Sequence, residues 1–282
     1  MADAITTAFA SFAMPDRQAK PRRRGVTMMI DWGMGLDRQR DTVASAGAYV
    51  DFAKVAAGVA RFMPRDVLVA KLSHYAENDI STSPGGLFTE LALTTGRYVA
   101  FVEEVVELGF SGIEVSDNLA DLALVDKARA ISYGKRRGLT VFGEVGKKHA
   151  VQEDDAIVDD VATCLDAGAD WVFLEAAELF VDRVPRLDLI TRLQREVDTG
   201  RLVYELPVVI LPGVTRDFKH EMTAWMVSQL GTDVNLANLE WDELYTTELV
   251  RSGFAGDTSH PDGAYRRAGF VDHDAPKPHR CT

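Results

Sequence analysis

Cysteine is scarce: Cys164 and Cys281 are the two in 282 residues, and they sit far apart. That count excludes a disulfide framework and a cysteine-rich metal knuckle, and it points to a reducing, cytoplasmic setting. Positive charge is also short. The 31 Lys and Arg face 43 Asp and Glu, a formal net charge of −12, so the surface repels polyanions and a general nucleic-acid binder is excluded. No run approaches the roughly 18 consecutive apolar residues of a membrane span. The stretch from Met1 to Met14 is alanine-rich but carries Asp3 and has no basic start, so no export signal is expected. The six histidines show no ligand spacing, which argues against zinc. A glycine-rich first turn of the dinucleotide-binding kind is missing as well.

What is present is ample core material. Hydrophobic residues make up 46% and charged residues 26% of the chain, ordinary values for a water-soluble globule. Eight short apolar or β-branched runs recur: Val26 to Ile30, Tyr49 to Ala53, Asp79 to Ser83, Gly112 to Ser116, Leu139 to Phe142, Trp171 to Leu174, Leu202 to Tyr204 and Asp233 to Leu236. Their starts lie 23 to 33 residues apart, room for strand, loop, helix and loop each time. Between them, Tyr98, Phe101, Val102, Val105 and Leu108 repeat with helical period, and Gly109 supplies a stop. This cadence predicts an α/β fold, a single (β/α)8 barrel over residues 25–258, with a last helix near Trp241 to Ser252. Residues 1–24, ending in Pro21-Arg22-Arg23-Arg24, read as a solvated N-terminal arm, and residues 259–282 as a polar C-terminal tail.

Reacting groups of such barrels gather at the C-terminal ends of the strands. The residues expected at that mouth are Asp31, Lys54, Pro84-Gly85-Gly86, Glu114, Ser116, Asp117, Glu144, Gly146, Lys147, Lys148, Glu175, Glu178, Glu205, Asn235 and Asn238. Carboxylates outnumber ammonium groups, and such crowding calls for protons or a cation. A hard, oxygen-seeking ion such as magnesium fits. Lys54 and Lys148 are open to reading as Schiff-base nucleophiles, general acids or counter-ions. Pro84-Gly85-Gly86 either lets backbone approach an anionic ligand or only turns the chain.

Several strings resemble the phosphosulfolactate synthase family, in order along the chain. They are Arg24-Gly25-Val26-Thr27 through Asp31, Val50-Asp51-Phe52-Ala53-Lys54, Pro84-Gly85-Gly86 with Glu90, and Glu114-Val115-Ser116-Asp117. Further on come Glu144-Val145-Gly146-Lys147-Lys148, Asp166-Ala167-Gly168-Ala169-Asp170, Val234-Asn235-Leu236-Ala237-Asn238 and Gly256-Asp257-Thr258. The resemblance implies a magnesium-dependent barrel that adds sulfite to phosphoenolpyruvate, an early step towards coenzyme M. It implies Asp117, Glu144 and Glu175 as metal-directed oxygens and Lys148 as the proton donor, with Lys54 and Lys147 as further catalytic lysines. The substrate-binding set expected at the mouth is Asp31, Gly85, Gly86, Ser116, Glu205, Asn235, Arg216 and Arg251. The expected partner is a small carboxylate, with no nucleic acid or membrane, in a homo-oligomer.

The chain departs from the family where anions are held. The family's Glu-x-Arg-Glu-Ser-Gly reads Glu175-Ala176-Ala177-Glu178-Leu179-Phe180, and its arginine-rich closing helix keeps only Arg251. After Glu205 a longer stretch, Val208 to Lys219, brings Arg216. Each lost charge-assisted contact costs about 1.5–3 kcal/mol. The alternative expectation is therefore a family enzyme of a specialised pathway acting on a less anionic carboxylate, or a non-catalytic stress-associated binding protein.

Overall fold

Runs of four to six apolar residues are too short for helices and, when buried on both faces, form parallel strands. The computed structural model describes residues 8, 9, 11, 17–147, 151–182 and 184–254. Eight staves form one parallel sheet: β1 (Thr27–Asp31), β2 (Phe52–Val55), β3 (Ser81–Ser83), β4 (Gly112–Val115), β5 (Thr140–Val145), β6 (Trp171–Glu175), β9 (Leu202–Glu205) and β10 (Leu236–Leu239). A two-stranded antiparallel hairpin, β7 (Phe180–Val181) and β8 (Val184–Pro185), follows β6. The helices are α1 (Leu36–Ala46), α2 (Arg65–Glu77), α3 (Gly86–Thr94), α4 (Tyr98–Leu108), α5 (Leu124–Arg136), α6 (Asp154–Asp166), α7 (Leu187–Glu196), α8 (Arg216–Leu230) and α9 (Leu244–Arg251).

The sheet order is β3-β2-β1-β10-β9-β6-β5-β4, so β3 and β4 are the two edges of a nearly closed barrel. Side chains bridge this seam in place of a ladder. Ser111 Oγ accepts from the Thr82 amide at 2.8 Å and meets Ser81 Oγ at 2.9 Å, and Ser83 Oγ donates to Glu114. The helical reading of Tyr98 to Leu108 holds, and Gly109 ends α4 in the left-handed region at φ 95°.

Strand alternation sorts each stave into an inner and an outer face. Met28, Phe142, Phe173, Val203 and Ala237 form a buried cluster of their own inside the barrel, where Phe142 and Phe173 stack at 4.8 Å and Phe52 meets Phe142 edge-on at 4.9 Å. Two residues beyond Phe52, Phe142, Phe173 and Val203, on the same face, come Lys54, Glu144, Glu175 and Glu205. Outward residues of the same strands join the larger core against the helices. Gly143, also outward, lets α6 come close: a Cβ there would come within 2.7 Å of Cys164 Cβ.

Two staves sit later than the sequence predicts. Gly47–Tyr49 is a 3-10 turn, so β2 starts at Phe52. Before β10, the Asn235 side chain acts as a piece of ladder: its Oδ1 accepts from the Val26 amide at 2.9 Å, and its Nδ2 donates to Leu202 O at 2.8 Å. The strand therefore begins at Leu236 rather than Asp233. The arm is not wholly solvated either. Arg22 is buried, with Nη1 3.0 Å from Asp51 Oδ1 and Nη2 donating to Ala48 O at 2.5 Å, and Arg17 pairs with Glu248 at 2.8 Å. The tail, residues 259–282, lies outside the described residues.

Candidate active site

Three adjacent staves, β5, β6 and β9, carry Glu144, Glu175 and Glu205 at or next to their last residues, with Glu175 and Glu205 in register. All three are buried, and one oxygen from each lies within 4.8 Å of the other two. Every donor is a carboxylate oxygen, and hard cations such as Mg²⁺ or Mn²⁺ take such ligands, so the residues fit an ion of that class.

Lys54 enters the same layer from β2. Its Nζ lies 2.9 Å from Glu114 Oε2, pairs closely with Glu205 Oε1, and sits 5.1 Å over the Phe173 ring. Burial pushes the ammonium down, but Glu114, Glu205 and Glu144 outweigh it and hold its pKa raised. Lys54 is thus a fixed cation, whereas a Schiff-base nucleophile needs a neutral amine.

Gly86 is required by close approach. Its N–H donates to Glu114 Oε2 at 3.0 Å, and a Cβ would lie 2.7 Å from Ser116 Cβ and overlap Glu144 Oε2. Gly85 precedes it at φ 83°, in the region that favours glycine. The Pro84-Gly85-Gly86 turn brings its backbone to a carboxylate of the protein itself, Glu114.

Other expected site residues lie elsewhere. Asp117, expected beside the metal, is held by two lysines instead: Lys127 Nζ at 3.0 Å from Oδ1 and Lys147 Nζ at 2.8 Å from Oδ2. Glu205, expected to bind substrate, joins Glu144 and Glu175 in its place. Lys147 Nζ also donates to Asp117 O at 2.6 Å, which ties it to the segment after β4. Asp31 points out of the barrel, because it shares the parity of Met29; Lys71 Nζ and Tyr75 OH on α2 each reach its Oδ2 at 2.7 Å. Ser116, by contrast, stays beside the triad, its Cβ packed against Gly86 next to Glu144, and its Oγ donates to Glu90.

Asn235 and Arg251 belong to the opposite end of the barrel. Arg251 Nη1 donates to Thr232 O and Val234 O, both at 2.6 Å, ahead of β10. Arg216 is exposed and donates to Asp242 at 3.1 Å. Lys148 lies outside the described residues, as does Gly256-Asp257-Thr258.

The sequence does not single out two supports. Lys127, fully buried on α5, donates to Asp117, to both oxygens of Asp160 at 2.7 and 2.9 Å, and to Glu144 O at 2.6 Å. Burial lowers its pKa, but Cys164, Asp160 and Asp117 together hold it raised. Asn118 donates through Nδ2 to Glu144 Oε1 and, at 3.4 Å, to Glu175 Oε1. A helix lysine spaced for the buried face is the one signal that marked Lys127. Nothing in the local pattern marks Asn118.

Comparison with known proteins places the chain in a family and a fold. The family model for (2R)-phospho-3-sulfolactate synthase matches residues 15–257. Phosphosulfolactate synthase of Methanocaldococcus jannaschii is 32% identical over 84% of this chain and 94% of its own length. Protein HEAT-STRESS-ASSOCIATED 32 of Arabidopsis thaliana is 25% identical over 86% of this chain and 90% of its own. Among solved structures, 3-hexulose-6-phosphate synthase from Salmonella typhimurium superposes with a TM-score of 0.51 at 13% identity, over 82% of this chain and all of that one. That likeness speaks to the barrel alone.

Proposed function

The chain belongs to the (2R)-phospho-3-sulfolactate synthase family, and from that premise we propose that it is a magnesium-dependent synthase adding a sulfur nucleophile to an enol carboxylate, with sulfite and phosphoenolpyruvate as the first pair to test. The observation that carries this reading is the buried Glu144, Glu175 and Glu205 triad above an aromatic floor in the barrel. A divalent cation held by those three would stabilise the double negative charge that builds on the substrate carboxylate.

The protein's own residues supply the rest. Lys54 offsets Glu114 and Glu205 without leaving the layer, so positive charge is already in place where a carboxylate would arrive. Phe142 and Phe173 keep water from beneath the reacting carbons. Sulfite forms its C–S bond at the methylene carbon, the double-bond electrons move towards the carboxylate, and an ammonium returns a proton to the α-carbon. The family resemblance gives that last task to Lys148.

The test is direct: the purified chain with phosphoenolpyruvate, sulfite and Mg²⁺, followed by phosphorus NMR. A new phosphate-ester resonance supports the proposal, and no turnover at millimolar substrate removes it.

A second reading keeps the barrel, cation site and carbanion step but takes a less anionic carboxylate. It is favoured by where the described arginines stand: Arg186 is committed to Glu178, Asp154 and Gln152 O, Arg216 to Asp242, and Arg251 to the opposite end. Turnover of a non-phosphorylated enoyl carboxylate with sulfite, without turnover of phosphoenolpyruvate, would select it.

A further inference from the structure

Carboxylates that share one cation repel each other before it arrives, so something must hold them at short range. In β9 that support is a full charge, since Lys54 pairs with Glu205. For Glu144 and Glu175 it includes a neutral group. Asn118 Nδ2 stands between them, hydrogen-bonded to Glu144 Oε1 and 3.4 Å from Glu175 Oε1. Two acceptors on one side fix which way the amide faces, because its oxygen there would be repelled by both.

The loop that carries Asn118 is itself tied down. The backbone N–H groups of Asn118, Leu119 and Ala120 donate to the Glu90 carboxylate at 2.8, 2.9 and 2.8 Å, and Ser116 Oγ donates to it as well. Asn118 is 2% exposed, and its Oδ1 is buried with no hydrogen-bond donor among the described residues. A buried acceptor without a donor is costly, about 1–3 kcal/mol, which is tolerable where a ligand completes it.

We infer that Asn118 is the positioning residue of the cation site: its amide orients Glu144 and Glu175 while leaving their charge intact, and its Oδ1 awaits a donor carried by the bound substrate or by water. The inference rests on the cation reading above and deepens it. A lysine at this position would quench the charge that attracts the ion. An amide reduces the repulsion and preserves it.

The experiment is calorimetric titration of the full chain with Mn²⁺, beside thermal unfolding with and without the ion. Asn118→Leu keeps the shape and removes the donor. The expected result is an Mn²⁺ affinity weaker by about tenfold or more, a smaller rise of Tm on adding Mn²⁺, and a lower metal-free Tm, because the donor that offsets the Glu144–Glu175 repulsion is gone. If Asn118→Leu does not fold, Asn118→Ala carries the same expectation. A variant that binds Mn²⁺ as the parent does overturns the inference, whether or not its metal-free Tm has fallen. A parent chain that takes up no Mn²⁺ overturns the cation reading itself.

Discussion

Lys54 Nζ lies 2.9 Å from Glu114 Oε2 although their strands, β2 and β4, are separated by β3 and by the seam where the sheet is not laddered. The ion pair thus ties the open edge to the layer of inward carboxylates. Breaking a buried pair by removing one partner costs about 3–5 kcal/mol, since the other charge stays behind in dry surroundings. Lys54→Met is therefore expected to lower the Tm of the metal-free protein substantially. Added Mg²⁺ should recover more Tm in the variant than in the parent, because the ion replaces the missing charge. Scanning calorimetry with and without Mg²⁺ checks this, and an identical Mg²⁺ increment in both proteins would contradict it.

Gly86→Ala tests the other side of the triad. The added methyl would overlap Glu144 Oε2 and press on Ser116 Cβ at 2.7 Å, so Glu144 must move. The expected outcome is loss of Mn²⁺ affinity with a modest loss of stability, about 1–3 kcal/mol for an overpacked position. Unchanged affinity in a calorimetric titration would show that Glu144 is not held where the cation needs it.

Much of this arrangement can be read in the sequence. The spacing of the apolar runs carries the barrel, and Phe142-x-Glu144, Phe173-x-Glu175 and Phe52-x-Lys54 carry the inner layer, because alternation puts both members of each pair on one face. What escapes is anything that depends on parity at a strand end or on partners far along the chain. Asp31 ends its strand like Glu175 does, yet sits on the outward parity and meets Lys71 and Tyr75. Asn235 lies one residue before β10 rather than within a strand, and so falls at the opposite end from the mouth. Asp117 follows β4 as a metal ligand would, but Lys127, ten residues on, comes back from α5 to take it.

Arg251 offers a test of that last distinction between mouth and base. Its guanidinium is 1% exposed, and burial together with nearby Arg17 pushes its pKa down to about 9. Its two hydrogen bonds hold Thr232 O and Val234 O. Arg251→Ala leaves the buried Val234 carbonyl and the half-buried Thr232 carbonyl without this donor, at about 1–3 kcal/mol for the buried one. The expected result is a lower Tm with KM unchanged in the folded variant. A raised KM at full stability would return Arg251 to the substrate.

The buried cluster behind Glu144 predicts an alkaline limit. Burial pushes the Cys164 thiol up to about 12, with Asp160 adding to it and Lys127 opposing. The unfolded chain releases this proton from about pH 9 while the native chain keeps it to about 12, so the native state binds more protons in that window. This group's contribution to stability is therefore full below pH 9 and declines as pH rises towards 12, by about 1.4 kcal/mol per pH unit at most. In a Cys281→Ser background, native protein at pH 8 should resist iodoacetamide at Cys164 until denaturant is added, because the thiolate is the nucleophile and it does not form there. Mass spectrometry of the alkylated peptide reads the result. Cys164→Ala in the same background should flatten the fall in Tm between pH 9 and the alkaline limit. A fall as steep as the parent's would place the alkaline sensitivity in another group.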